Sequence, residues 1–221
     1  MVRLALPVTD RASWRYGGRD AGFTLVEVLV AIVLLGIVST AAIAFAISSG
    51  NAAANQERRQ NATSIATVAI ESVNANAATT TASTGVSFLM GGRSQTKVAD
   101  AWGTYASYPG VAVTYQGYDP TASISSTQAI PITSTVSRNG TDYTVTTLIG
   151  WCYKQSGAGD CKLIPTVAVA PAIPPAGWAN RLIRVITIVQ WSAGSECSST
   201  PCSYQAITLI DATPDLQWNN G

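Results

Sequence analysis

The feature that most constrains this chain is a long apolar run near its N-terminus. The 25 residues from Phe23 to Ile47 are apolar or glycine except for Thr24, Glu27, Ser39 and Thr40. As a helix this run is about 37 Å long, at about 1.5 Å per residue, which is enough to cross a bilayer with some tilt. We therefore expect residues 23–47 to anchor the protein in a membrane.

A basic segment precedes the apolar run. Residues 1–22 contain four arginines and two aspartates, a net charge of +2, whereas the remainder has nine basic against ten acidic residues. Because basic flanks are retained in the cytoplasm, we expect a cytoplasmic N-terminus and an extracytoplasmic domain after the helix. The net charge of the whole chain is only +1, which gives no support for binding nucleic acid through bulk charge.

After the apolar run, the pattern becomes that of an amphipathic helix. Apolar side chains recur at the spacing of one helical face at Ile65, Val68, Ala69 and Val73. We expect one helix from about residue 24 to about 75, transmembrane over 23–47 and amphipathic over 48–75. A low-complexity linker, 74–85, follows it.

The remainder of the chain, residues 76–221, has the alternating pattern of β-strands. The expected strands are 111–116, 129–138, 141–153, 181–191 and 203–211. Asn139-Gly140 separates two of them, and both residues accept the positive φ of a type I′ hairpin turn. The fold class is therefore α+β, a long N-terminal helix packed on a C-terminal antiparallel sheet.

Side chains at alternate positions of the strand 141–153 should share one face of the sheet. They are Tyr143, Val145, Thr147, Ile149, Trp151 and Tyr153. The prolines that follow predict an irregular crossing segment, because proline donates no ladder hydrogen bond. They are Pro165, Pro171, Pro174 and Pro175.

All four cysteines lie in the second half of the chain, at Cys152, Cys161, Cys197 and Cys202. With no histidine present, a zinc site needs all four thiolates at unusual spacings, so two disulfides in an oxidising compartment are the better interpretation. Three pairings are open. We favour the two local ones, Cys152 with Cys161 and Cys197 with Cys202.

Catalysis is not expected of this chain. Without histidine, a Ser or Cys nucleophile has no imidazole base, and the acidic residues beyond the helix are scattered. Asp211 and Asp215 are a weak signal for calcium, and a turn at a strand end explains them better, so we expect no metal and no cofactor. A group of aromatic residues is better explained by core packing than by a binding patch: Trp102, Tyr105, Tyr108, Tyr115 and Tyr118.

The segment Gly22-Phe23-Thr24-Leu25-Val26-Glu27, with its basic leader and apolar helix, resembles the class III signal of type IV prepilins and pseudopilins. The resemblance implies that a membrane-embedded prepilin peptidase removes the leader 1–22 by cutting between Gly22 and Phe23. The resemblance implies that the same enzyme then methylates the amine of Phe23. It further implies that the apolar helix contacts membrane lipid first and other pilin or pseudopilin subunits later.

Glu27 is the one charged residue of the apolar run, and it needs a physical explanation. A charged side chain at a membrane helix centre costs roughly 2.5–3.5 kcal/mol on insertion scales. An opposite charge about 4 Å away recovers about 4 kcal/mol at an effective dielectric of 20. The resemblance implies that the partner is the Phe23 amine of a neighbouring subunit. The sequence also permits a pair within one chain, because residues i and i+4 share a helix face.

Three functions fit these features. The form of the apolar helix, which lacks proline, and a domain spanning 76–221 resemble a minor pilin, first a single-pass membrane protein and later part of a pilus at the cell surface. The alternatives are a pseudopilin of type II secretion and a membrane-anchored extracytoplasmic binding domain that never polymerises. An ordinary secretory signal fits poorly, because signal cores are shorter and lack an acid.

Overall fold

The computed structural model describes residues 22–78, 85–155, 160–165, 167–168, 170 and 175–211. The chain divides into two units, Met1–Ser49 and Gly50–Gly221. The helices in the described ranges are α1 (Leu25–Ala78), α2 (Gly85–Met90) and α3 (Gln95–Thr104). The strands are β1 (Tyr115–Gln116), β2 (Thr133–Arg138), β3 (Thr141–Gln155), β4 (Trp178–Trp191) and β5 (Cys202–Asp211). The predicted α+β class is confirmed.

In the first unit, the described residues are almost entirely the N-terminal part of α1. Every residue from Gly22 to Gly50 is exposed, because no side of this apolar segment has a protein surface to pack on. Among the described residues, α1 is the one helix long and apolar enough to cross a membrane. The helix extends to Ala78 and not only to about residue 75.

The second unit is built on a five-stranded antiparallel sheet. Its order is β1-β3-β4-β5, and β2 pairs with β3. The hairpin between β2 and β3 turns at Asn139 and Gly140, with φ of 49° and 71°, and Arg138 pairs with Thr141. The predicted type I′ signal is therefore confirmed. β4 and β5 pair without a break from Leu182–Asp211 to Trp191–Cys202.

The two faces of the sheet are covered by different helices. On one face, Ala62, Ile65 and Ala66 of α1 pack against Tyr143 and Val145 of β3, together with residues of β4. On the other face, Val98 and Trp102 of α3 pack in one cluster with Leu148 of β3 and with Ile186 and Ile188 of β4. Alternation along β3 thus places buried side chains on both faces, so the strand is buried over most of its length.

The predicted amphipathic stripe of α1 is correct at three of its four residues. Ile65 and Val73 are buried and Ala69 packs against the core, whereas Val68 is 54% exposed. Ala62 and Ala66, which the predicted stripe did not include, are fully buried as well. The helix therefore presents alanines as well as larger apolar side chains to the sheet.

The region between α1 and the sheet is more helical than predicted. Both ends of the predicted linker 74–85 are helical, since α1 continues to Ala78 and α2 begins at Gly85. The predicted strand 111–116 is mostly a turn region, and only Tyr115–Gln116 pairs with β3. The predicted strand 129–138 begins later, at Thr133. Tyr153 of β3 forms an isolated bridge with Lys162, which precedes the prolines of the predicted crossing segment.

A buried arginine, missed in the sequence, holds this region to the sheet. Arg93 is completely buried, and its guanidinium donates to the carbonyls of Ile130 at 3.1 Å and Thr147 at 2.7 Å. The carbonyl of Arg93 accepts the backbone N–H of Asp119 at 2.9 Å. Burial lowers the pKa of Arg93 to about 10. Arg93 thus joins two segments with little regular structure, around Asp119 and Ile130, to β3.

Candidate processing and assembly site

The segment that carries the prepilin-like motif consists of three non-helical residues and the first turn of α1. Residues 22–24 are not helical, and α1 begins at Leu25. The carbonyl of Thr24 accepts the N–H of Val28 at 3.3 Å and that of Glu27 at 3.0 Å. The hydroxyl of Thr24 also accepts the N–H of Glu27, at 3.3 Å. Thr24 is therefore the N-cap of α1.

Sequence reasoning missed this capping role of Thr24. The signal was present, because Thr24-x-x-Glu27 has the spacing of a capping box, in which an N-cap hydroxyl binds the N–H three residues on. The hydroxyl half of that box is formed. The same two residues that belong to the motif therefore also define where the helix begins.

Glu27 lies in the first turn of α1 and is exposed. The positive end of the helix dipole favours a carboxylate at this position. Among the described residues, the Glu27 side chain makes no hydrogen bond and no ion pair: the one salt bridge found there joins Arg59 to Glu196 at 3.4 Å. Within the part of the chain that the structure describes, this carboxylate in an apolar segment therefore has no partner.

The position of Phe23 bears on the choice between the two pairings of Glu27. Pairing within one chain relied on residues 23 and 27 being one turn apart on a helix face. Phe23 precedes the N-cap and is not helical, so this spacing does not apply to it. The helical spacing therefore gives no support for a pair within one chain, and both pairings of Glu27 stay predictions.

The part of α1 that follows this site exposes apolar side chains on all sides. The large exposed side chains between residues 23 and 47 are Phe23, Leu25, Val26, Val28, Leu29, Val30, Ile32, Val33, Leu34, Leu35, Ile37, Val38, Ile43, Phe45 and Ile47. A contiguous apolar surface of this size is not stable in water. It requires either lipid or other apolar helices around it.

One comparison with known proteins identifies the segment. The family model described as the prokaryotic N-terminal methylation motif matches residues 18–43. This match supports a type IV pilin-like prepilin, a precursor of the pilin or pseudopilin type. No curated protein and no solved structure matches the chain.

The family match also has consequences for the general class of the protein. Its motif points to a structural subunit and not to an enzyme. The motif and the exposed apolar helix together support anchoring in a membrane before assembly. The match ends at residue 43, before the Gly50–Gly221 unit, so it does not distinguish a pilus from a secretion system.

The cysteines lie away from this site, in the sheet-containing unit. Cys152 is bonded to Cys161, with Cα atoms 5.3 Å apart, and Cys197 is bonded to Cys202, with Cα atoms 5.1 Å apart. These are the two local pairings that the sequence favoured. The first joins β3 to Cys161, and the second closes the loop between β4 and β5 beside α1.

The remaining candidate residues do not form a second site in the described part of the chain. Asp211 ends β5 opposite Leu182, and Asp215 lies outside the described residues. The structure contains no group of three or more potential metal ligands among the residues it describes. Trp102, Tyr105 and Tyr115 are buried, as core packing predicted.

Proposed function

We propose that this protein is a minor subunit of a type IV pilus or a related filament. Prepilin peptidase removes the leader 1–22 between Gly22 and Phe23 and methylates the new amine of Phe23. Residues 23–47 then span the membrane with the N-terminus in the cytoplasm. The amphipathic helix 48–75 and the domain 76–221 are extracytoplasmic, and assembly carries the subunit to the cell surface.

The observation that carries this proposal is the contrast between the two parts of α1. From Gly22 to Gly50 the chain is exposed throughout, whereas Ala62, Ile65 and Val73 are buried against the sheet. The second part of the helix therefore has its partner within the protein, and the first part does not. Lipid supplies that partner before assembly, and the helices of other subunits supply it afterwards.

Glu27 gives the assembly its specificity in this proposal. Cleavage leaves a charged amine on Phe23 and a charged carboxylate on Glu27, both beside an apolar surface. A low dielectric strengthens the attraction between the two charges. Pairing the amine of one subunit with the carboxylate of the next neutralises both and fixes the offset between neighbouring helices.

Recovery of the protein from sheared filaments tests this function. We expect the processed chain in the filament fraction, at a small fraction of the amount of the major subunit, with the remainder in the membrane. Recovery only in membranes contradicts the proposal and supports an anchored binding domain. Loss of protein secretion on deleting the gene, with surface pili unchanged, contradicts the pilus assignment and supports a pseudopilin.

A further inference from the structure

The start of α1 suggests a role for Thr24 that the motif match does not assign. The bond between Gly22 and Phe23 lies two residues before the N-cap, in non-helical backbone. In the range that the structure describes, which begins at Gly22, Thr24 is the first residue whose carbonyl accepts helical hydrogen bonds, from Glu27 and Val28. The scissile bond of the proposed function is therefore just outside the helix.

The chemistry of cleavage needs this bond outside the helix. Peptidase-bound water adds to the Gly22 carbonyl carbon, the C–N bond breaks, and a carboxylate and the Phe23 amine result. In a helix, the carbonyl oxygen of Gly22 would accept a hydrogen bond from the N–H four residues on. Neighbouring turns would also restrict access to the carbonyl carbon. The helix must then open locally before the peptide bond can react.

We propose that Thr24 is a positioning residue for processing: its N-cap fixes the start of α1 at Leu25 and so keeps the Gly22–Phe23 bond in non-helical backbone. This inference rests on the proposed cleavage site. Thr24 acts through the conformation of the chain and does not itself take part in the reaction.

The sequence contains a competing helix start that makes this role necessary. Asp20 is four residues upstream of Thr24, and aspartate is at least as good an N-cap as threonine. A helix that starts after Asp20 contains the Gly22–Phe23 bond in its first turn. The hydroxyl of Thr24 and the carboxylate of Glu27 at the third helical position both favour the later start.

Processing of full-length precursor by prepilin peptidase in membranes provides the first measurement. Thr24→Val keeps the size and branching of the side chain and removes the hydroxyl. We expect cleavage roughly tenfold slower, because loss of the N-cap lowers the population of chains whose helix starts at Leu25 by about that factor. Thr24→Ser restores the cap and should be cut at the wild-type rate. Thr40→Val is the matched control, because the Thr40 hydroxyl donates to the Ile37 carbonyl at 2.9 Å inside the same helix. It should leave the rate unchanged.

A second measurement separates positioning from direct contact between Thr24 and the peptidase. Amide hydrogen exchange of the uncleaved precursor in micelles, without peptidase, reports where the helix starts. In the wild type, the N–H groups of Leu25 and Val26 precede the first bonded amide of the helix and should exchange fast. In Thr24→Val they should become protected as the helix extends towards Asp20.

The outcomes are distinct. Equal cleavage rates for the wild type and Thr24→Val overturn this inference. Slower cleavage without new protection at Leu25 and Val26 also overturns it, because the hydroxyl then acts on the enzyme and not on the helix. If the wild type is not cut between Gly22 and Phe23 at all, the proposed function fails, which is a separate result.

Discussion

At the scale of single residues, the N-cap Thr24 and Glu27 in the first helical turn differ in whether their side chains have a partner. Thr24 binds the N–H of Glu27 in its own chain, whereas the Glu27 carboxylate has no partner among the described residues. In the proposed function, Thr24 acts within its own chain and Glu27 acts on a neighbouring subunit. Processing and assembly would then depend on different residues of one short segment.

The Glu27 series tests assembly. Glu27→Ala should still be processed and still reside in the membrane, because an apolar helix inserts more readily without a charge. The ratio of subunit in sheared filaments to subunit in membranes should fall severalfold. Glu27→Gln keeps the shape without the charge and should also fall, and Glu27→Lys should be lowest because like charges meet in a low dielectric. Equal ratios for the wild type and Glu27→Ala exclude a role for the carboxylate in assembly.

The Gly22 substitution tests processing. A side chain at Gly22 meets nothing within 4 Å in the protein itself, so Gly22→Val should not disturb the fold. Unprocessed precursor should nevertheless accumulate, because the added branched side chain obstructs close approach of the peptidase to the backbone. Gly36→Val is the matched control, since that position is equally open and lies away from the cleaved bond. Normal processing of Gly22→Val, read from immunoblots of membrane fractions, argues against cleavage at this bond.

At the scale of elements, the alternation of apolar and polar residues predicted strands correctly where the neighbouring residues did not themselves favour turns. The strands 141–153, 181–191 and 203–211 match β3, β4 and β5 closely. The segment 111–116 alternates equally well, but it follows Gly110, whose φ is +82°, and a series of turns occupies most of it. α2 was missed because six residues carry little periodicity, and α3 because it buries only Val98 and Trp102.

The candidate site was more predictable than the packing. Gly22, Phe23 and Glu27 were identified from a contiguous motif, and contiguous motifs do not depend on tertiary contacts. The cap formed by Thr24 was also recoverable from its spacing to Glu27. Arg93 was not, because its two carbonyl partners, Ile130 and Thr147, lie 37 and 54 residues away.

The disulfides give a prediction about loops. Peptide mapping of the mature protein without reduction should give Cys152 linked to Cys161 and Cys197 linked to Cys202. Each bridge closes a short loop and should contribute roughly 2–3 kcal/mol to the free energy of unfolding by the chain-entropy estimate. Replacing one pair with serines and measuring urea unfolding in detergent checks that magnitude. A crossed linkage such as Cys152 to Cys202 contradicts the strand pairing described above.

Two glycines of the second unit should respond in opposite directions to alanine. A Cβ at Gly150 of β3 would lie 2.1 Å from the Tyr115 carbonyl oxygen, so Gly150→Ala forces β1 away and should cost about 1–3 kcal/mol. Gly103 in α3 has nothing within 4 Å of that position. Gly103→Ala should therefore stabilise the helix by roughly 0.5–1 kcal/mol. Urea unfolding of both variants decides this, and a loss of stability in Gly103→Ala would show that α3 is packed differently.

At the scale of the whole molecule, the chain combines a segment without an internal partner and a unit with its own core. The exposed segment from Gly22 to Ser49 lies in one unit, and the sheet with its two disulfides lies in the other. Such a division suits a subunit that is stored in a membrane and later transferred to an assembly. The sheet-containing unit keeps its own core in both states, because Tyr143, Val145 and Leu148 are buried without any other chain.

Intact mass spectrometry of the protein, from cells with and without prepilin peptidase, tests the central claim most directly. Relative to the precursor, the mature protein should be lighter by the mass of residues 1–22 and heavier by one methyl group on Phe23. Both changes are expected together, because the same enzyme cuts the chain and methylates the new amine. A mature N-terminus near residue 47 or 55, or a mass that does not depend on the peptidase, would contradict the assignment as a processed pilin-like subunit.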